Sequence, residues 1–238
     1  MVKKAVIVAA GLSSRLYPLT LETPKVLLPA GGQELILRSL ALLRENGIEE
    51  TAVVAGYRKE QVAAAVGNRA VIISNPFYKY CNNMGSLWFA KGFVGDGPFL
   101  YLHGDLVYDG KLLSRAREEF AAGENDMELV TEFGRTDAEA MKVRVDRENY
   151  LLESKKEIPP AEAAGEWTGI AGVRCSQELF IQIEKTLFSE GLNFYDTHAF
   201  TALARRGFKI CCRSTRNLPW IEIDDAEDYK RAKEMFGV

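Results

Sequence analysis

The chain has 238 residues, 47% of them hydrophobic, with a formal net charge of −3 and a pI near 5.6. That length suits one large α/β core, and the mild acidity offers no global basic field for nucleic acid. No apolar run approaches the ~20 residues that span a bilayer, and Met1-Val2-Lys3-Lys4 leads into a strand without a signal-peptide profile, so a cytoplasmic protein with no membrane partner is expected.

In chain order, Ala5-Val6-Ile7-Val8 is a short apolar run that ends in small residues. This is the pattern of a buried parallel strand spilling into a loop at its carboxyl end, where open α/β sheets bind ligands. The loop from Ala9 to Lys25 reads AAGLSSRLYPLTLETPK. Gly11 permits a tight turn, Ser13 and Ser14 offer hydroxyls and accessible backbone NH groups, and Arg15 and Lys25 bring two positive charges. That inventory suits a polyphosphate. Leu35 to Asn46 is predicted to be a helix with Ile36, Leu40 and Leu43 on one face and Gly47 as its stop. Thr51 to Ala55 reads as a strand, Arg58 to Val66 as a helix and Val71 to Ser74 as a strand, and Asn83 is predicted to cap a helix running through Leu87 to Ala90.

Phe99-Leu100-Tyr101-Leu102 is a further buried strand, and it ends in His103-Gly104-Asp105, which brings a carboxylate to the edge that carries the opening loop. From about Met127 to Val173 the pattern changes to short alternating strands such as Lys142 to Val145, read as an antiparallel extension covering the substrate side. Phe194 to Arg206 returns to helix, Lys209 to Cys212 to strand, and Asp225 to Phe236 closes the chain as a helix. Cys81, Cys175, Cys211 and Cys212 lack a CxxC spacing and have two histidines for company, so they read as free thiols.

The last informative stretch is LPWIEIDDAEDYKRA, from Leu218 to Ala232. On a strand, Trp220, Glu222 and Asp224 point one way while Ile221 and Ile223 point the other. Asp225 and Asp228 read as the cap and dipole complement of the closing helix. A hard cation such as Mg2+ is held by one or two carboxylates plus substrate phosphates, so Asp105, Glu222 and Asp224 are the predicted metal ligands.

These stretches resemble the nucleotidyltransferases that activate phosphorylated small molecules, whose opening signature is GGxGTRLxPLTxxxPKxLxP. Here it stands as Ala10-Gly11-Leu12-Ser13-Ser14-Arg15-Leu16-Tyr17-Pro18-Leu19-Thr20, then Pro24-Lys25 and Pro29, and the likeness extends to Gly104-Asp105 and to Trp220-x-Glu222-x-Asp224. The resemblance implies an α/β fold like that of nucleotide-diphospho-sugar transferases. It would be a single Rossmann-like three-layer domain over residues 1–238, with a mostly parallel sheet and a small antiparallel substrate-side extension. A nucleotide half would run to about residue 125 and an acceptor half from about residue 126. The implied reaction is Mg2+-dependent transfer of a nucleoside monophosphate with release of pyrophosphate, with Arg15 on the β and γ phosphates and Lys25 near the α phosphate. Ala9, Ala10, Gly11, Ser13, Ser14, Arg15 and Gly104 then belong to the nucleotide site. Asn83, Gly85 and Ser86 lie around the base, with helix capping as the competing role for Asn83 and Ser86.

Two departures narrow the resemblance. Ala10 and Ser13 stand where many sugar-activating members have glycine, and the Glu-Lys-Pro triplet of sugar-1-phosphate members is replaced by LLESKKEI. Both features, and the segment NPFYKYCNNMGSLWFA, look like cytidylyltransferases for phosphocholine and related phosphates or phosphonates, so CTP and a small phosphate or phosphonate monoester are the expected partners. Lys142 and Lys156 are the basic residues expected to reach the acceptor phosphate. Trp167, Tyr195 and Phe133 offer aromatic faces to a choline head, and Glu166 and Asp196 offer carboxylates to a choline or a primary amine. The acceptor's head group stays open, as do the oligomeric state and membership of a larger bifunctional chain. His103 and His198 read as structural. A sugar-1-phosphate nucleotidyltransferase is the alternative among enzymes, and a catalytically silent nucleotide-sensing domain the alternative outside them. A P-loop NTPase is excluded, since no GxxxxGK followed by Ser or Thr occurs, and a dinucleotide oxidoreductase is not expected, since no GxGxxG follows the first strand.

Overall fold

Consecutive apolar residues in the first strand require cover on both faces. In the computed structural model, which describes residues 2–30, 32–134 and 136–237, this strand is β1 (Lys4–Ala9). The opening loop returns through β2 (Pro29–Ala30) and β3 (Gln33–Glu34) into α1 (Leu35–Glu45). Then follow β4 (Glu50–Ala55), α2 (Lys59–Val66), β5 (Val71–Ser74), α3 (Asn83–Trp88), α4 (Lys91–Val94) and β6 (Phe99–His103). The next stretch is β7 (Leu106–Tyr108), α5 (Gly110–Ala122), β8 (Met127–Phe133), β9 (Lys142–Val145), β10 (Leu151–Ser154) and β11 (Gly165–Val173). The chain closes with α6 (Ser176–Ser189), α7 (Asp196–Arg205), β12 (Ile210–Ser214), β13 (Trp220–Glu222) and α8 (Ala226–Phe236).

Among the described residues nine strands form one sheet, in the order β10-β9-β11-β6-β1-β4-β5, with β8 paired to β11 and β12. β5, β4, β1 and β6 are parallel neighbours. β11 then runs antiparallel to β6, β8 and β9. The expected class therefore holds: an α/β fold with a mostly parallel mixed sheet and helices on both sides. Alternation along β1 divides the cover. Ala5 and Ile7 pack with Ile36, Leu40 and Leu43 of α1 and with Val62 of α2, whereas Val6 and Val8 pack with Met84 of α3, Phe180 of α6 and Phe200 of α7.

A third apolar cluster fixes the geometry of the site. Leu16, within the opening loop, and Leu28, just after it, pack with Val107 of β7 and with Ile221 and Ile223. β13 lies antiparallel to β7 with Glu222 opposite Leu106, and the Ile223 backbone NH donates to the Asp105 carbonyl at 3.0 Å. Segments from the two ends of the chain thereby reach one strand edge.

Several local expectations shift. Asn82, not Asn83, caps α3, because its side-chain oxygen accepts from the Asn83 backbone NH at 2.9 Å. α7 starts at Asp196 rather than Phe194. The closing helix has the expected cap, since Asp225 and Asp228 form a reciprocal capping box. α5 and α6 have no counterpart among the sequence expectations, although Leu179, Phe180 and Ile183 are buried on α6 at helical spacing. The four cysteines are free, and no described helix is long and apolar enough to cross a membrane.

Candidate active site

The opening loop is held by its own short contacts. Ser13 adopts a left-handed conformation (φ 53°) that starts a tight turn over Ser14–Leu16. The Thr20 hydroxyl, fully buried, donates to the Ser13 carbonyl at 2.7 Å. Lys25 opens a second tight turn, Lys25–Leu27, and its side chain crosses to the β7–β13 ribbon. There Nζ donates to the Ile223 carbonyl at 2.7 Å and lies 2.6 Å from Asp105 Oδ2 and 3.6 Å from Asp224 Oδ1. Arg15 reaches the same Asp224 oxygen at 2.9 Å.

These contacts set the charges. Burial alone would lower the Lys25 pKa, but Asp105 and Asp224 outweigh it and hold the ammonium above its ordinary value. Burial would push the Asp105 carboxyl up, but Lys25 and His103 hold it below the usual range. Glu222 is pushed up to about 7, by burial first and then by Asp105. Burial disfavours a charged His103, yet the neighbouring Asp196 raises it to about 9.

A cavity of about 270 Å³ opens at this edge. Ala9, Ala10, Gly11, Ser13, Arg15 and Lys25 line one side, and Asp105, Glu222 and Asp224 line another. Asn83, Ser86, Lys156, Trp167 and Tyr195 complete the expected set. A Cβ on Gly11 would meet nothing within 4 Å, so its backbone faces open space. Lys156 Nζ lies 5.5 Å from the centre of the Tyr195 ring. Trp167 is only 3% exposed and donates Nε1 to the Ile170 carbonyl at 3.0 Å, so little of its ring is open to a ligand.

Other predicted residues are occupied elsewhere. Lys142 is buried, and its ammonium caps the carbonyls of Asp137, Ala138 and Ala140 at 2.9–3.2 Å, so it braces a loop instead of reaching an acceptor. Asp196 has no exposed surface and lies behind the cavity, accepting a hydrogen bond from the Tyr101 hydroxyl at 2.7 Å. Glu166 lines an adjoining cavity of about 450 Å³ with Glu132 and Asp137; burial and these two carboxylates push it up to about 7. Gly104 and Gly85 are packing glycines: a Cβ would come within 2.9 Å of the Val8 carbonyl at the first and within 2.7 Å of the Cys81 Cβ at the second. Ser14 spends its carbonyl on the Tyr17 backbone NH at 3.1 Å and does not line the cavity. Phe133 is likewise outside the lining. The Asn83 side chain ties α3 to α7, accepting from the Asp196 backbone NH at 2.9 Å.

Residues not expected from sequence also line the cavity, among them His103, Tyr78, Glu139 and Met141. Glu139 lies 3.9 Å from Arg15 and 3.8 Å from Lys156. His103 had a legible signal, since residues two apart at a strand end share a face and Asp105 is two positions on. His198 pairs with Glu190 at 3.3 Å, away from the cavity.

The residues fit a divalent cation. Asp105 Oδ1 is buried with no hydrogen-bond partner among the described residues, and ligand atoms of His103, Asp105 and Glu222 lie within 4.8 Å of one another. Of the three carboxylates expected from sequence, Asp224 is engaged by Arg15 and Lys25.

A family model described as the MobA-like NTP transferase domain matches residues 5–185, and the chain belongs to that family of nucleotidyltransferases. It is 26% identical over 98% of its length to the CMP-5'-(3-aminopropyl)phosphonate synthase of Streptomyces rubellomurinus, of which the alignment covers 39%. It is 33% identical over 48% of its length to the 2-aminoethylphosphonate cytidylyltransferase of Lancefieldella rimae, of which 47% is covered. The alignments thus cover less than half of each of these curated relatives. The solved CTP:phosphocholine cytidylyltransferase from Streptococcus pneumoniae shares the fold, with a TM-score of 0.80, 20% identity and 98% of each chain covered.

Proposed function

We propose that this chain transfers CMP from CTP to a small phosphate or phosphonate monoester and releases pyrophosphate. The observation that carries the reading is the placement of Lys25 between Asp105 and Asp224, with Arg15 on the far side of Asp224, in a cavity at the carboxyl edge of β1 and β6. The named phosphonate and phosphocholine relatives support the choice of CTP and of the acceptor class.

In this reaction an acceptor oxygen forms a bond to the α phosphorus, the bond from that phosphorus to the bridging oxygen breaks, and its electron pair leaves with pyrophosphate. A phosphate or phosphonate is already anionic near neutral pH, so no general base is needed. The difficulty is the approach of two anions, and the protein's contribution is positioning and charge neutralisation. Lys25 is a fixed cation beside the α phosphate, and Arg15 faces the β and γ phosphates. The open backbone at Gly11 and the small side chain at Ser86 leave room for the flat base. Lys156, beside Tyr195, is the cation for the acceptor's phosphate group. A divalent cation, Mg2+ in this reading, supplies further neutralisation of phosphate oxygens when bound; Asp105 and Glu222 would hold it with Asp224 alongside.

The test is pyrophosphate release with Mg2+ over a grid of nucleoside triphosphates against 2-aminoethylphosphonate, 2-hydroxyethylphosphonate, phosphocholine, glycerol 3-phosphate and glucose 1-phosphate. A signal restricted to CTP with a phosphonate or phosphocholine is expected. Activity confined to UTP or dTTP with glucose 1-phosphate would move the chain to the sugar branch.

A further inference from the structure

The imidazole of His103 is the nitrogen donor in a cluster whose other members, Asp105 and Glu222, offer oxygen. It is held from behind. Nε2 lies 2.9 Å from Oδ2 of Asp196, whose side chain has no exposed surface, and 3.2 Å from Nδ2 of Asn83, which leaves Nδ1 as the ring nitrogen for a ligand. That carboxylate is fixed in turn: Oδ2 accepts from the Tyr101 hydroxyl at 2.7 Å and Oδ1 from the Thr197 backbone NH at 2.8 Å. The ring is also confined on its faces. Trp167 meets it edge-on at 4.9 Å between centroids, and Gly169, at φ +86°, leaves no room for a side chain, since a Cβ there would come within 3.0 Å of the imidazole.

A buried carboxylate bonded to one imidazole nitrogen is the arrangement by which proteins orient a metal-ligating histidine and fix its tautomer. The buried, unpartnered Oδ1 of Asp105 independently marks a missing electropositive partner at the same place. We propose that His103, releasing its Nδ1 proton to solvent on binding, is a direct ligand of the divalent cation held by Asp105 and Glu222, with Asp196 as the positioning residue for its ring. The proposal shares with the preceding reading only the placement of a cation in this cavity. Its consequence is a mixed nitrogen and oxygen donor set. Mg2+ is content with carboxylate and water, whereas Co2+ and Ni2+ gain from an imidazole ligand, so the site should discriminate among divalent ions more sharply than one built from carboxylates alone.

Calorimetric titration of the protein with Co2+ and with Mg2+, in the absence of nucleotide and acceptor, tests the proposal. His103→Gln should weaken Co2+ binding roughly 10–100-fold and Asp196→Asn about tenfold, while Mg2+ binding changes far less. Equal Co2+ affinity in the parent and in His103→Gln would overturn it. If that variant fails to fold, the unaltered protein still decides. The sequence has two histidines, so selective 15N labelling gives two ring systems, with the half-exposed His198 as internal control. Saturation with Zn2+ should shift one ring nitrogen of His103 strongly and leave His198 in place; an unmoved His103 ring overturns the proposal. Because neither measurement includes a substrate, silence of the pyrophosphate assay and failure of this proposal are separate results.

Discussion

The two ends of the cavity were specified in different ways. On the side of the opening loop, Arg15 and Lys25 follow β1, and Asp105 follows β6, its parallel neighbour; all three line the cavity. Of the residues expected at an acceptor, Lys142, Glu166 and Trp167 come from antiparallel strands, Lys156 from the turn after β10, and Tyr195 and Asp196 from the start of α7, and of these six Lys156, Trp167 and Tyr195 line it. A parallel strand delivers its following loop to the carboxyl edge whatever the strand's exact bounds. In antiparallel strands a one-residue change of register moves a side chain to the opposite face, so residue type and position cannot assign it. Glu166 and Lys142 sit directly opposite each other on β11 and β9, yet Lys142 is buried under a loop while Glu166 faces the adjoining cavity.

The comparison is sharpened by substitutions on both sides. The largest loss is expected for Asp105→Asn, which removes the carboxylate between Lys25 and the cation site and should bring pyrophosphate release to background at any Mg2+ concentration; recovery at high Mg2+ would reduce the residue to an aid in metal affinity. Lys25→Ala should cost roughly 10²–10³ in kcat, the scale of removing one preorganised donor to a charged transition state. A loss below tenfold would make Lys25 a structural partner of Asp105.

On the acceptor side, Lys156→Ala should raise the acceptor KM about tenfold, the scale of one charge-assisted hydrogen bond, with CTP binding unchanged. Lys142→Met should behave differently. It leaves loop carbonyls unpaired and lowers stability by about 1–3 kcal/mol, seen as a Tm drop of several degrees, while the folded enzyme keeps its acceptor KM. If instead KM rises and Tm holds, Lys142 belongs with Lys156.

The smallest effect concerns Glu166, which burial, Asp137 and Glu132 raise to about 7. A carboxyl raised in the folded state favours folding below its unfolded pKa, and that contribution is lost as pH rises through the folded value. Glu166→Gln should therefore raise Tm more at pH 8 than at pH 5. Parallel Tm curves across that range would show that the clustered Glu132 and Asp137 do not burden it.

Residues whose roles follow from local spacing were legible in sequence. The capping box of Asp225 and Asp228 is a local interaction three residues wide, and the Ile221 and Ile223 pair, opposite Glu222, is buried as strand alternation requires. Asn83 was misplaced by one position because consecutive asparagines compete for one cap and only Asn82 has the extended backbone of a capping residue. His103 reads as structural from its strand-end position, and the partner that holds it, Asp196, is 93 residues away and was not legible as such in the sequence.

Sequence alone determined the α/β class, the small, hydroxyl and cationic residues that the opening loop brings to the strand edge, and the carboxylates after β6 and in β13, since apolar periodicity and strand-end position are local properties. Tertiary structure alone decided which charge meets which. Lys25 finds Asp105 and Asp224, Lys142 finds three loop carbonyls, and Asp196 turns inward to His103. A buried charge must be paired or hydrogen-bonded, and the available partner is set by how distant segments pack.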